Sequence, residues 1–119
     1  LDFEGEPTRS QEERRAKRIP MKDVAGMLRS FDYAAATAQK TAGDEAAPAL
    51  KAWRDCTGEA FLRGYAKVRP IDEEDRQWLR FFLIEKALYE IIYEAEHRPD
   101  WVHIPLAGLE TILKEEHCV

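Results

Sequence analysis

Apolar residues in this chain recur at intervals of three and four, prolines interrupt the pattern at intervals, and no stretch sustains the alternation of a half-buried strand. Met21, Val24, Met27, Leu28, Phe31, Ala35 and Ala38 trace one stripe, with Pro20 suited to a first helical turn, where its missing N–H costs nothing. Gly43 reads as the stop of that helix and Asp44 as the cap of the next. A second helix passes through Leu50, Trp53, Phe61, Tyr65 and Val68 and must end before Pro70, because the residue preceding a proline is pushed out of the α region. Asp72 caps a third, whose first turn carries Glu73, Glu74 and Asp75 at the positive end of the helix dipole. On it, Phe81, Ile84, Leu88, Ile91 and Ala95 are expected to face the core. Lys86, Tyr89, Glu90, Tyr93 and His97 fall on the opposite side. Pro99 ends this helix, and Pro105 opens a last one carrying Leu106, Leu109, Ile112 and Leu113. The expected class is mainly α, a single helical unit over residues 1–119, with 1–19 a turn and loop and the helices in 20–119. The exception is Leu1-Asp2-Phe3, which reads as a short extended segment, the end of a strand.

The net charge of −5 argues against a nucleic-acid binder, which would concentrate positive charge. The basic run Arg14, Arg15, Lys17 and Arg18 follows Glu12 and Glu13, as in a salted loop or helix end. Cys56 and Cys118 lie far apart with no CxxC spacing, which suggests reduced thiols in a cytoplasm rather than a zinc site or a disulfide framework. No apolar run approaches the roughly 20 residues that span a bilayer, so neither membrane nor nucleic acid is an expected partner.

The opening "LDFEGEP" places Asp2, Glu4 and Glu6 around an aromatic and a glycine. Magnesium takes oxygen ligands and commonly only one or two carboxylates, leaving its other positions to water and phosphates. Asp2 and Glu4 are therefore the candidate metal ligands, in a turn that differs from the Asp-Phe-Gly of kinases by one inserted residue. The competing reading is a solvated acidic turn. The outer face of the third helix joins aromatic rings to charged groups, the combination that suits the apolar faces and hydroxyls of sugars. There the competing reading is an ordinary exposed Lys86–Glu90 pair beside tyrosines that cover a neighbouring segment. The three histidines show no ligand spacing.

Three separated runs, "DFEGEP", "ERRAKRIPMKDVAGMLRSFDYAA" and "EKALYEIIYEAEHRPDWVHIPLAGL", together resemble the C-terminal part of the maltokinases, members of the kinase-like aminoglycoside phosphotransferase superfamily also found fused to trehalose synthase. The resemblance is weakest between Thr37 and Lys51. It implies the helical C-terminal part of the large lobe of a protein-kinase-like fold, and an intact enzyme that uses ATP and Mg2+ to form maltose 1-phosphate. It makes Asp2 the metal-binding aspartate, Glu4 a second ligand or orienting group, and Asp23 the aspartate that braces the catalytic loop. It places Lys86, Tyr89, Glu90, Tyr93, Arg98 and Trp101 where the disaccharide is held.

A kinase of this class also needs a phosphate-contacting lysine and a catalytic loop, and neither motif occurs in these residues. The chain thus reads as a fragment, inactive alone, whose partner is an upstream kinase half or a fused trehalose synthase. Two other functions fit the same residues: a phosphotransferase for an aminoglycoside or choline, and a non-catalytic helical interaction module.

Overall fold

A computed structural model describes residues 11–115, apart from the side chains of residues 13–19. Four helices follow in order: α1 (Gln11–Ala42), α2 (Ala47–Val68), α3 (Glu73–His97) and α4 (His103–Glu115). Short 3₁₀ turns at Asp44–Ala46 and Pro99–Trp101 join the first pair and the last pair. No strand occurs among the described residues. The mainly α class expected from the periodicity is the one observed.

Local chemistry fixes the boundaries. Gly43 adopts φ 94°, a left-handed conformation that glycine reaches without a Cβ clash, and α1 ends there. Asp72 and Asp75 close a reciprocal capping box: Asp72 Oδ1 accepts from the Asp75 backbone N–H at 2.8 Å, and Asp75 Oδ2 accepts from the Asp72 N–H at 3.1 Å.

Three boundaries differ from expectation, the smallest difference being at α4, which begins at His103 rather than Pro105. The first helix begins at Gln11 rather than Pro20, so 11–19 is helix and not loop, and Pro20 sits inside α1. An internal proline costs about 3 kcal/mol and here leaves the Ala16 carbonyl without its donor. Helix-favouring Gln, Glu, Arg, Ala and Lys types before it, and the burial of Met21, Val24 and Ala25 just after it, carry the helix through. Asp44 does not cap α2 either. It lies in the 3₁₀ turn, where its Oδ1 accepts from Gln39 Nε2 at 3.1 Å, and α2 starts with Pro48 in its first turn.

The helices run up, down, up and down around α1. α2 returns antiparallel along it, pairing Phe31 with Trp53 and with Phe61. α3 runs parallel to α1 at a constant offset of 61 residues, joining Arg29 to Glu90 and Tyr33 to Glu94. One end of the assembly is apolar: Met21, Val24 and Trp78 are buried under Leu28, Phe61, Leu62, Tyr65, Leu79 and Phe82. The other end is held by charge.

That charged end changes which faces are buried. On α3 the buried residues are Asp75, Trp78, Ala87, Glu90 and Glu94, not the expected apolar set. Phe81, Leu88 and Ala95 are exposed, and Ile84 and Ile91 only half-buried. On α1, Arg29 is buried while Met27 and Ala38 face outward. On α4, Ile104, Pro105, Gly108 and Ile112 are buried and Leu106 and Leu113 exposed. Carboxylates can be buried when each finds a donor, and α1 presents those donors along one stripe. No helix among the described residues is long and apolar enough to cross a membrane.

Candidate functional site

The stripe on α1 that meets α3 interrupts its apolar residues with Arg29, Asp32 and Tyr33. Arg29 is only 4% exposed. Its Nε donates to Glu90 Oε1 at 2.9 Å, Nη2 lies 2.8 Å from the same oxygen, and Nη1 donates to Asp32 Oδ2 at 2.7 Å. The other oxygen of Asp32 accepts from Arg54 Nη1 of α2 at 3.0 Å, so one carboxylate ties two guanidinium groups together. Gly108 of α4 lies against the Arg29 guanidinium, with no room for a side chain. Arg29, Asp32, Arg54 and Gly108 line a cleft of about 460 Å³ where α2 and α4 stand apart. Burial pushes the Glu90 carboxyl above the usual range even though the Arg29 charge pulls the other way.

One turn further along, Glu94 is 1% exposed and carries three hydrogen bonds. Arg98 Nε donates to Oε1 and Arg98 Nη2 to Oε2, both at 2.8 Å, and the Tyr33 hydroxyl donates to Oε2 at 2.7 Å. The two bonds from Arg98 hold the Glu94 carboxyl below its ordinary value, against the opposing effect of burial, and Tyr33 adds to the depression. Burial and the neighbouring carboxylates push the Tyr33 hydroxyl well above its ordinary value, so it remains a donor. The guanidinium of Arg98 lies 4.0 Å from the centroid of Trp101, and Lys40 Nζ of α1 lies 4.9 Å from the same ring. Trp101 is held in the 3₁₀ turn by its backbone N–H, which donates to the Arg98 carbonyl at 2.8 Å.

On the outer side of α3, positions 89, 93 and 97 form a ladder of rings. Tyr89 and Tyr93 stack at 6.4 Å and 23°, Tyr93 and His97 at 4.5 Å and 16°, and Lys86 Nζ lies 5.4 Å over Tyr89.

The six residues assigned to sugar on the sequence therefore fall into three places. Arg98 and Trp101 form one unit, and Lys86, Tyr89 and Tyr93 form the exposed ladder beside it in sequence. Glu90 leaves the set: it turns inward to Arg29 instead of sharing the outer face with Lys86. Asp23 is exposed on α1, ten residues before Tyr33, or about 15 Å by helical rise. Asp2 and Glu4 lie outside the described residues. Among the described residues no group of three or more His, Cys, Asp or Glu side chains is gathered as a metal site would require. Sequence reasoning missed Arg29, Asp32, Tyr33, Arg54 and Glu94. The available signal was a cation and an acid at i, i+3 inside an apolar stripe, and Glu90, Glu94 and Arg98 at successive i, i+4 steps.

Linkage gives the pH behaviour of this site. The folded-state pKa of Glu94 lies below its unfolded value, so its contribution is fully present above the unfolded pKa and is lost as pH falls through the folded one. Glu90, shifted up, has the opposite sign: its ionised form costs stability at neutral pH, and that cost disappears on acidification. Glu94→Gln should accordingly destabilise by about 1–3 kcal/mol at pH 7. The gap to the parent should close below about pH 4, the region where carboxylates protonate. Urea midpoints of both proteins across that range check it, and a gap independent of pH would contradict it.

No family model matches the chain, and no solved structure matches it. Two curated proteins, both named glucosamine kinase, are similar. That from Mycolicibacterium smegmatis is 35% identical over 120 residues, which cover 96% of this chain and 29% of the relative. That from Streptacidiphilus jiangxiensis is 27% identical over 119 residues, covering 97% of this chain and 27% of the relative. The chain thus spans between a quarter and a third of the length of the curated relatives it matches.

Proposed function

We propose that this chain is the helical, acceptor-holding part of an ATP-dependent sugar kinase. The observation that carries the reading is the similarity, along almost the whole chain, to two curated proteins from different organisms that share the name glucosamine kinase. The resemblance of "DFEGEP", "KDVAGMLRSF" and "EHRPDW" to maltokinases points to the same reaction class with a different acceptor. Glucosamine is the first acceptor and maltose the second.

The described residues supply recognition chemistry. Trp101 offers a ring on which an apolar sugar face can rest, and Arg98 offers a fixed, planar set of donors to hydroxyls. The ladder of Tyr89 and Tyr93 with Lys86 extends the aromatic and charged surface along α3. In the transfer, a sugar hydroxyl oxygen forms a bond to the γ-phosphorus of ATP, the bond to the departing ADP oxygen breaks, and the hydroxyl proton passes to a base. Asp2, with Glu4, would hold Mg2+ against the nucleotide phosphates, and Asp23 would brace the catalytic loop. The base and the phosphate-contacting lysine would come from the part of the protein that this chain does not represent.

The complete gene product, incubated with ATP, Mg2+ and either glucosamine or maltose, should yield a sugar phosphate detectable by ³¹P NMR. Phosphorylation of an aminoglycoside or choline but of neither sugar would keep the reaction class and replace the acceptor. Absence of phosphoryl transfer to all four would sink the reading and leave the helical interaction module.

A further inference from the structure

The α1 helix reaches the acceptor unit through side chains that the recognition chemistry above does not use. Tyr33 and Lys40 lie two turns apart on one stripe, and both point at the junction of α3 with the Pro99–Trp101 turn. Glu94, at that junction, is buried and can touch nothing outside the protein. Both of its oxygens are nonetheless held, Oε1 by Arg98 Nε, and Oε2 by both Arg98 Nη2 and the Tyr33 hydroxyl. A fork-to-fork pair fixes the plane of the guanidinium relative to that of the carboxylate. The plane of the carboxylate is fixed in turn by whatever else it binds. Here that is Tyr33, 61 residues away on another helix. The Arg98 guanidinium then lies 4.0 Å from the Trp101 ring, so the orientation imposed at Tyr33 is carried to both groups that present themselves to a sugar.

We propose that Tyr33 is a positioning residue of the acceptor site, acting through Glu94 to preset Arg98 and Trp101 without touching the sugar. This rests on the reading of the chain as part of a sugar kinase. Deleting the hydroxyl leaves the ring, and with it the packing between α1 and α3. It removes the third hydrogen bond from Glu94 and frees the carboxylate, with its guanidinium, to turn. The site then holds the same groups in an orientation that binding must correct, so the deficit falls on acceptor affinity.

Tyr33→Phe in the complete gene product should raise the KM for the accepted sugar about tenfold. The effect on kcat should be smaller, and the KM for ATP should stay at its parental value. Sugar-dependent change in tryptophan fluorescence, which needs no turnover, should shift to correspondingly higher sugar concentrations. Circular dichroism should show parental helix content. A sugar KM and fluorescence titration unchanged by the substitution would overturn the assignment, as would a fall in kcat with KM unmoved. Loss of helix content in Tyr33→Phe would overturn it as well, because the hydroxyl would then serve the fold. The two levels separate cleanly: a parent protein that phosphorylates no sugar defeats the kinase reading, whereas an active parent with an indifferent Tyr33→Phe defeats only the positioning role.

Discussion

Arg29→Met should destabilise the protein by about 3–5 kcal/mol, the usual result of removing one member of a buried ion pair. The guanidinium is the buried donor to two carboxylates, at 2.9 Å to Glu90 and 2.7 Å to Asp32. Asp32 would retain Arg54 at 3.0 Å. Glu90 would keep only the weaker field of Lys86. A carboxylate already pushed upward by burial would be pushed further, so the deficit should shrink as the solution is acidified and Glu90 protonates. The double variant Arg29→Met, Glu90→Met should recover most of the loss, since apolar groups of similar volume commonly replace a buried pair at little cost. Urea unfolding of the parent, the single and the double variant at pH 7 checks this. A single variant within about 1 kcal/mol of the parent would mean that the pair is not what holds α1 to α3.

Gly108→Ala should destabilise by about 1–3 kcal/mol, although alanine in a helix interior ordinarily gains about 1 kcal/mol over glycine. A Cβ built there lies 2.8 Å from Arg29 Nη2 and 2.9 Å from Cζ, with Nη1 closer still. The end of a free arginine would swing aside. This one is held by Glu90 and Asp32, so it can yield only by giving up an ion pair. Gly64 of α2 has nothing within 4 Å of the same construction, and Gly64→Ala should show the ordinary gain. The penalty at Gly108 should vanish in the Arg29→Met background, a coupling expected only of residues in contact. Thermal midpoints of the parent, both glycine variants, Arg29→Met and its double with Gly108→Ala settle the sign, and a stabilised Gly108→Ala would show that Arg29 is free to move.

Features that depend on neighbours in sequence were legible, and features that depend on partners far along the chain were not. Asp72 with Asp75, Gly43 at its positive φ, and the stop before Pro70 are decided within a few residues, and the helices end where those residues require. The rotation of α3 is decided by Arg29 and Tyr33, 61 residues away. Periodicity ranks Leu88 above Glu90 as a core residue because it cannot know that a donor waits for the carboxylate. Pro20 misled for a related reason, since the burial that sustains α1 through it comes from contacts with α2 and α3. In the candidate site, the resemblance named Arg98 and Trp101 among six residues without pairing them, and Tyr33 and Glu94 became visible only when α1 and α3 were side by side. The roles of Asp2 and Glu4 fall outside the described residues.

The constant offset between α1 and α3 also acts as a gauge of alignment. If α3 slid forward by one helical turn, Arg29 would face Lys86, cation against cation, while Glu90 would face Tyr33 and Glu94 would face Thr37. If it slid back by one turn, Tyr33 would face Arg98 and Glu94 would face Arg29, while Glu90 would be pressed against Ala25, which has no side-chain donor. Among these three alignments, only the observed one sets a donor opposite each buried acid and also an acid opposite Arg29. Two acids spaced by one turn, each matched to different donors on the parallel helix, thus set where α3 stops along α1. They thereby set which part of α1 the Trp101 turn rests against, at Lys40, a placement that an apolar stripe, indifferent to sliding, would leave undefined.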